Sequence, residues 1–187
     1  MAERSGPILD LGCGYGRHVT YAAEQGLKVL GIDFSGQALH GAKQRVDRAR
    51  QPGAWLLQAE FSHLPLESGS LAGAMSIQAI YHAPRDHILA SLLELRRVLM
   101  PGGNALINFL SDRNSYFGKG EQMEPKTHRL PGGVDDGAPH HFFNQSDIQR
   151  ICAEAGLLLS ILRLEEYMTS DGHRSSAWFA IVAKPGQ

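Results

Sequence analysis

Short apolar runs alternate along this chain with longer stretches in which apolar residues recur every three or four positions, and that alternation sets the expected fold. Pro7-Ile8-Leu9 predicts a first strand, which runs into the glycine-rich stretch Asp10-Leu11-Gly12-Cys13-Gly14-Tyr15-Gly16. Val19, Ala22, Ala23 and Leu27 then keep helical spacing, Gly26 is placed as a C-terminal cap, and Lys28 to Ile32 reads as a second strand. Ser35 caps a helix whose Ala38, Leu39, Ala42, Val46 and Ala49 share one stripe, and Pro52-Gly53 ends it. Strands are expected at Trp55 to Ala59 and at Leu71 to Ile77. A helix opening at Pro84-Arg85-Asp86 carries Ile88, Leu89, Leu92, Leu95, Val98 and Leu99, Pro101-Gly102-Gly103 stops it, and Ala105 to Leu110 is a fifth strand. Strands and helices in alternation predict an α/β fold, a parallel sheet with helices on both faces.

From Ser111 to Phe143 no apolar period is sustained, while glycine, proline, histidine and acids accumulate, so this segment is read as a long substrate-facing loop. Order resumes with a helix capped at Asn144 or Ser146, carrying Ile148, Ile151, Cys152 and Ala155 and stopped by Gly156. Two strands finish the chain, Leu157 to Leu164 and Ser175 to Ala183. The Glu165 to Arg174 connection is too short for a helical crossover, so these strands are expected to pair antiparallel at one edge.

Composition narrows the partners. A chain of 187 residues accommodates one domain, residues 1–187, and its 18 basic against 19 acidic residues leave no electrostatic footprint for nucleic acid. The cluster Lys43 to Arg48 reads as a solvated helix face, and a small-molecule partner is the expectation. Cys13 and Cys152 form no Cys-x-x-Cys pair, which argues against a disulfide framework or a structural zinc site and for a reduced, cytoplasmic setting. Met1 to Gly6 contains no apolar signal-like core, and no run approaches the ~18 apolar residues of a membrane span.

Gly12, Gly14 and Gly16 form a tight strand-to-helix turn where a nucleotide-like cofactor can approach bare backbone. The dinucleotide pattern G-x-G-x-x-G does not fit: the third glycine comes one residue early, Arg17 takes its place, and Asp10 stands two residues before the first glycine. Ile8 to His18, Gly31-Ile32-Asp33-Phe34-Ser35 and Glu94 to Gly103 together resemble three motifs of the class I S-adenosylmethionine-dependent methyltransferases, in particular their small-molecule branch. The resemblance covers nearly the whole chain. It implies a Rossmann-like sandwich with a mostly parallel seven-stranded sheet, order 3-2-1-4-5-7-6 with strand seven antiparallel, and S-adenosylmethionine as cofactor. It also implies that Gly12, Cys13, Gly14, Gly16 and Arg17 shape the cofactor turn. Asp10 would face the ammonium group, Asp33 the ribose hydroxyls and Phe34 the adenine; Glu60-Phe61 would stand where an acid meets the adenine amino group, and Gln78 would line the methionine side. Cys13 is given no covalent chemistry, since displacement at a sulfonium needs no enzyme nucleophile.

The acceptor side rests on fewer signals. Tyr81-His82 follows strand four, and His82 has a suitable affinity to take a proton near neutral pH. His140 and His141 are expected to line a substrate pocket with His128 nearby, and no metal site is assigned because the histidine spacing matches no fixed pattern. Only nine residues precede Asp10, where relatives generally have covering helices. The 111–143 loop, a second subunit in a homodimer, or a chain that naturally begins earlier would close the site. Two other functions share part of the pattern. Asp33 also sits where a nicotinamide-dependent oxidoreductase would place its ribose acid, and a short N-terminus suits a non-catalytic S-adenosylmethionine-binding protein.

Overall fold

The computed structural model describes residues 6–131 and 137–186. The N-terminal lead before Gly6 and the middle of the 111–143 segment therefore lie outside the described residues. Among the described residues ten strands and four helices follow in the order β1 (Ile8–Leu11), α1 (Arg17–Glu24), β2 (Val29–Asp33), α2 (Gly36–Ala49), β3 (Ala54–Gln58), β4 (Leu71–Ser76), α3 (Arg85–Val98), β5 (Leu99–Ser111), β6 (Glu121–Glu124), β7 (Thr127–Arg129), β8 (Pro139–Phe143), α4 (Gln145–Glu154), β9 (Leu158–Met168) and β10 (Arg174–Ala183).

The main sheet runs β3-β2-β1-β4-β5-β10-β9, parallel from β3 to β5, with β10 antiparallel to both β5 and β9. With β9 and β10 counted as the sixth and seventh strands, this is the expected order. Alternation divides the layers: Leu9 and Leu11 of β1 join Ile88, Leu92 and Leu95 of α3 and Ile148 and Ile151 of α4 in the larger core. Val19, Ala22 and Ala23 of α1 and Val46 of α2 pack with Val29 on the opposite face. The α2 cap is as read, with Ser35 accepting from the Ala38 amide. Helix α4 is held by a complete capping box, in which Asn144 accepts from the Asp147 amide and Asp147 from the Asn144 amide.

Three expectations need correction. Helix α3 ends at Val98, so Leu99 and Pro101-Gly102-Gly103, read as its last apolar position and its stop, belong instead to the start of β5. The 111–143 segment is not a structureless loop, because β6, β7 and β8 form an antiparallel meander within it. Ladder pairing of β5 with β4 ends at Ile107 opposite Ser76, while β5 continues to Ser111. The edge it frees there is taken by β8, with Leu110 opposite Phe142 and Ser111 opposite Phe143. The burial of Phe142 and Phe143 makes that docking favourable, at about 1.5–3 kcal/mol for each fully buried aromatic. The terminal hairpin is also longer than read. Glu165 to Met168 continue β9, and the reversal is confined to Thr169–His173, where Gly172 adopts φ 81° and the Thr169 hydroxyl donates to the His173 carbonyl.

Candidate functional site

The carboxyl ends of β1, β2, β3 and β4 open on one side of the sheet, the place where parallel α/β sheets bind ligands. The turn after β1 is tied to β2 by the amides of Gly12 and Cys13, both donating to the Ile32 carbonyl. All three glycines have positive φ, but for different reasons. A Cβ at Gly12 would lie 2.1 Å from that of Ala79, and one at Gly16 would lie 2.9 Å from that of Ala42. Those two positions are closed by packing. A Cβ at Gly14 would meet nothing within 4 Å among the described residues, so this is where the backbone lies open to a ligand.

The contrast carries a prediction. Gly12→Ala should destabilise the fold by about 2–4 kcal/mol, through overpacking against Ala79 added to an unfavourable φ. Gly14→Ala should cost only about 1 kcal/mol and instead weaken cofactor binding. Thermal melts paired with ligand titration separate the two, and equal loss of stability at both positions would contradict the assignment.

Two carboxylates flank the turn. Asp33, at the end of β2, accepts the Gly14 amide on Oδ2 at 2.8 Å and the Ser35 amide on Oδ1 at 2.9 Å. It is buried and retains lone pairs for further donors. Asp10 is fully buried, and among the described residues neither of its oxygens has a hydrogen-bond partner. Its nearest cation candidate is His18, with Nδ1 4.0 Å from Oδ2. Burial drives the Asp10 pKa up to about 7, with Arg17 opposing and Asp33 adding to the rise. Burial, helped by Arg17, also lowers the pKa of His18, so the histidine is a poor resident counter-ion. A buried carboxylate with no hydrogen bond and only a weakly basic histidine 4.0 Å away is costly unless a ligand completes it. The Cys13 thiol is pushed up to about 12 by burial and by both aspartates, which leaves it inert as a nucleophile.

Gln78 follows β4 with φ 56°, a left-handed conformation uncommon outside glycine. It is held there by its amide, which donates to Asn108 Oδ1, and by its side-chain oxygen, which accepts from Arg17. Asn108 escaped the sequence reading, although a polar residue inside the apolar run Ala105 to Leu110 is a visible anomaly. Beyond Gln78 lies a cleft of about 260 Å³ lined by Phe34, Glu60, Phe61, Ile80 and His82 among others. Phe34 and Phe61 meet edge to face at 6.3 Å and form an aromatic wall, with the exposed Glu60 at its rim. The loop carrying Glu60 and Phe61 is pinned from α3, because Arg97 donates to the Leu64 and Leu66 carbonyls and Glu94 accepts the Leu64 amide.

Strand β8 brings the acceptor-side residues together and divides the two histidines. The His141 amide donates to the Tyr81 carbonyl, fastening β8 to the segment after β4. The His140 ring meets that of His82 edge to face at 4.5 Å, and the Tyr81 ring lies tilted 4.4 Å from His82. His140 Nδ1 pairs with the Ala138 carbonyl, which fixes this nitrogen as the donor. His141, next along the strand, points to the opposite face and pairs with Thr127 Oγ1 at 2.6 Å, which in turn donates to Glu124. Burial lowers its pKa to about 4. The joint pocket expected for His140 and His141 is thus split, and His141 belongs to the meander. His128, opposite His140 in the ladder, is buried between Phe117 and Phe142. Among the described residues no three His, Cys, Asp or Glu side chains are grouped to hold a metal. No described helix is long and apolar enough to cross a membrane.

Comparison with known proteins places these features in context. The family described as a methyltransferase domain matches residues 8–103, more than half of the chain. The chain is 34% identical over 110 residues to the tRNA (carboxymethyluridine(34)-5-O)-methyltransferase of Mus musculus, covering 58% of this chain and 15% of that one. To the ubiquinone biosynthesis O-methyltransferase of an Azoarcus species it is 27% identical over 154 residues, covering 81% of this chain and 64% of that protein. Both matches span less than two thirds of the relative's length. A crystal structure of an S-adenosylmethionine-dependent methyltransferase from Methanosarcina mazei shares the fold with a TM-score of 0.83 at 20% identity, over 99% of this chain and 95% of that one.

Proposed function

Because the chain belongs to the class I S-adenosylmethionine-dependent methyltransferase family, we propose that it transfers a methyl group from S-adenosylmethionine to an oxygen, nitrogen or sulfur atom of a small-molecule acceptor. The observation that carries the reading is Asp10, a buried carboxylate with no hydrogen-bond partner among the described residues, beside a glycine turn whose one uncrowded position, Gly14, faces open space. A cationic amino-acid group is the ligand chemistry that completes such a carboxylate. Asp33 presents its remaining lone pairs to the ribose hydroxyls, Phe34 and Phe61 take the adenine ring, and Glu60 its amino group. When bound, S-adenosylmethionine supplies a methyl carbon already activated by the sulfonium charge. What remains for the protein is to position the acceptor in line and to receive a proton where the acceptor carries one.

His82 is the proposed proton acceptor. It lines the same cleft as Phe34 and Glu60 and its ring touches both Tyr81, at a tilt, and His140, edge to face, contacts that fix its orientation. A small acceptor is supported by the near-neutral charge balance, which gives the chain no net positive charge to attract a polyanion. His82→Gln should lower kcat by about 100-fold or more while leaving the Kd for S-adenosylhomocysteine within about twofold, with the acid limb of the kcat profile removed. Equal loss of cofactor affinity would instead make His82 a structural residue. The reading as a whole is tested by calorimetry with S-adenosylhomocysteine, followed by detection of that product with panels of phenolic, carboxylic, amine and thiol acceptors and with bulk tRNA. Absence of binding overturns it, and turnover with tRNA alone overturns the acceptor class.

A further inference from the structure

The last strand of the main sheet is an open edge with an unusual composition. Among the described residues β9 pairs only with β10, so the other side of its backbone carries no partner strand. It runs for 11 residues, Leu158–Met168, with no proline or lysine to discourage edge pairing. The opposite edge, β3, has only five residues and follows Pro52-Gly53. Side chains along β9 are unusually apolar for an edge: Ile161 is 53% exposed and Tyr167 62%.

We propose that β9 is the self-association edge of this protein, pairing antiparallel with β9 of a second copy about a two-fold axis at Leu164. An antiparallel edge pair related by a two-fold axis keeps each sheet face continuous, so opposed residues must share a face and the register is restricted to even sums. Ile161, Arg163, Glu165 and Tyr167 share one face of the regular part of β9, since Ile161, Arg163, Glu165 and Tyr167 stand opposite Ile181, Phe179, Ala177 and Ser175 of β10. An axis at Arg163 would oppose arginine to arginine, and one at Glu165 would oppose glutamate to glutamate. An axis at Leu164 sets Arg163 against Glu165 of the other copy twice, and Ile161 against Tyr167 twice, with Leu164 facing its own counterpart on the reverse face. On this face charge and apolar complementarity are both satisfied in this register alone, while on the reverse face Leu164 meets Leu164 and Leu162 stands opposite Glu166. Arg163 and Glu165 lie 3.8 Å apart within one chain and are both well exposed, so each is available to exchange partners across the axis.

Sedimentation velocity with light-scattering detection tests the inference on the full chain. At about 100 µM the unmodified protein should run at twice its 20.4 kDa chain mass. Arg163→Glu should weaken association at least about tenfold by opposing like charges at two symmetric positions. The double variant Arg163→Glu with Glu165→Arg should restore it. Thermal melts of each variant confirm that the chain is folded. A monomeric unmodified protein overturns the proposal, as does a dimer unaffected by Arg163→Glu. A folded double variant that stays monomeric overturns the register.

Discussion

Asp33→Ala is expected to weaken binding of S-adenosylhomocysteine by about 100-fold or more, the larger of the single-residue effects on affinity. The side chain has two jobs that share one carboxylate. Its oxygens accept the Gly14 and Ser35 amides and so fix the glycine turn against the start of α2. Its remaining lone pairs are those proposed for the ribose hydroxyls. A hydrogen bond to a charged group contributes about 1.5–3 kcal/mol, and 1.4 kcal/mol is a factor of ten in affinity. Asparagine is no rescue here, because one of its two terminal atoms becomes a donor facing a backbone N–H. Asp33→Asn should therefore also lose affinity, by about tenfold at least. Calorimetric titration of both variants, with melts to confirm folding, is the measurement. Affinity within about threefold of the unmodified protein for Asp33→Ala would remove this residue from the site.

The parts of the molecule legible in the sequence are those fixed by local chemistry. Positive φ at Gly12, Gly14 and Gly16, the Ser35 and Asn144 caps, and the apolar stripe of α3 from Ile88 to Val98 each depend on a few neighbouring residues, and each stands as read. The β6–β8 meander was hidden because its stability is not local. Pro139-His140-His141-Phe142-Phe143 has no polar and apolar alternation, since β8 is buried along almost its whole length between the end of β5 and β7. Only the excess length of β5 over β4 creates a place for it, and that mismatch is a property of the sheet. The same holds for His140 and His141. As loop residues they are interchangeable, whereas as adjacent strand residues they must face opposite sides. The clash of a Gly12 side chain with Ala79 and the bond from Gln78 to Asn108 join residues 67 and 30 positions apart, beyond the reach of any periodicity.

Asp10→Asn should stabilise the cofactor-free protein at pH 8 by about 2–4 kcal/mol and at the same time abolish the acid limb of cofactor binding. The opposite signs come from one cause. Burial raises the Asp10 pKa from 3.8 to about 7. Between those values the folded chain holds a proton that the unfolded chain has released, so the contribution of this group to stability falls as pH rises across that window and stays low above pH 7. Asparagine carries no charge to desolvate and escapes the penalty. A cationic ligand reverses the balance, since it favours the ionised carboxylate. Affinity for S-adenosylhomocysteine should then rise by up to tenfold per pH unit toward pH 7, flatten, and decline above about pH 8 as the ligand's own α-amino group loses its proton. Titrations from pH 5.5 to 9 in buffers of different ionisation enthalpy, a range of about 3.5 units that brackets both transitions, should register proton uptake by the buffer below pH 7 for the unmodified protein and none from this group for Asp10→Asn. Unchanged melting temperature together with an intact acid limb in Asp10→Asn would mean that the buried carboxylate is neutral throughout and that the ammonium group is held elsewhere. Loss of the limb with a raised melting temperature would instead identify a destabilised acid kept in the apo fold for the ligand that ionises it.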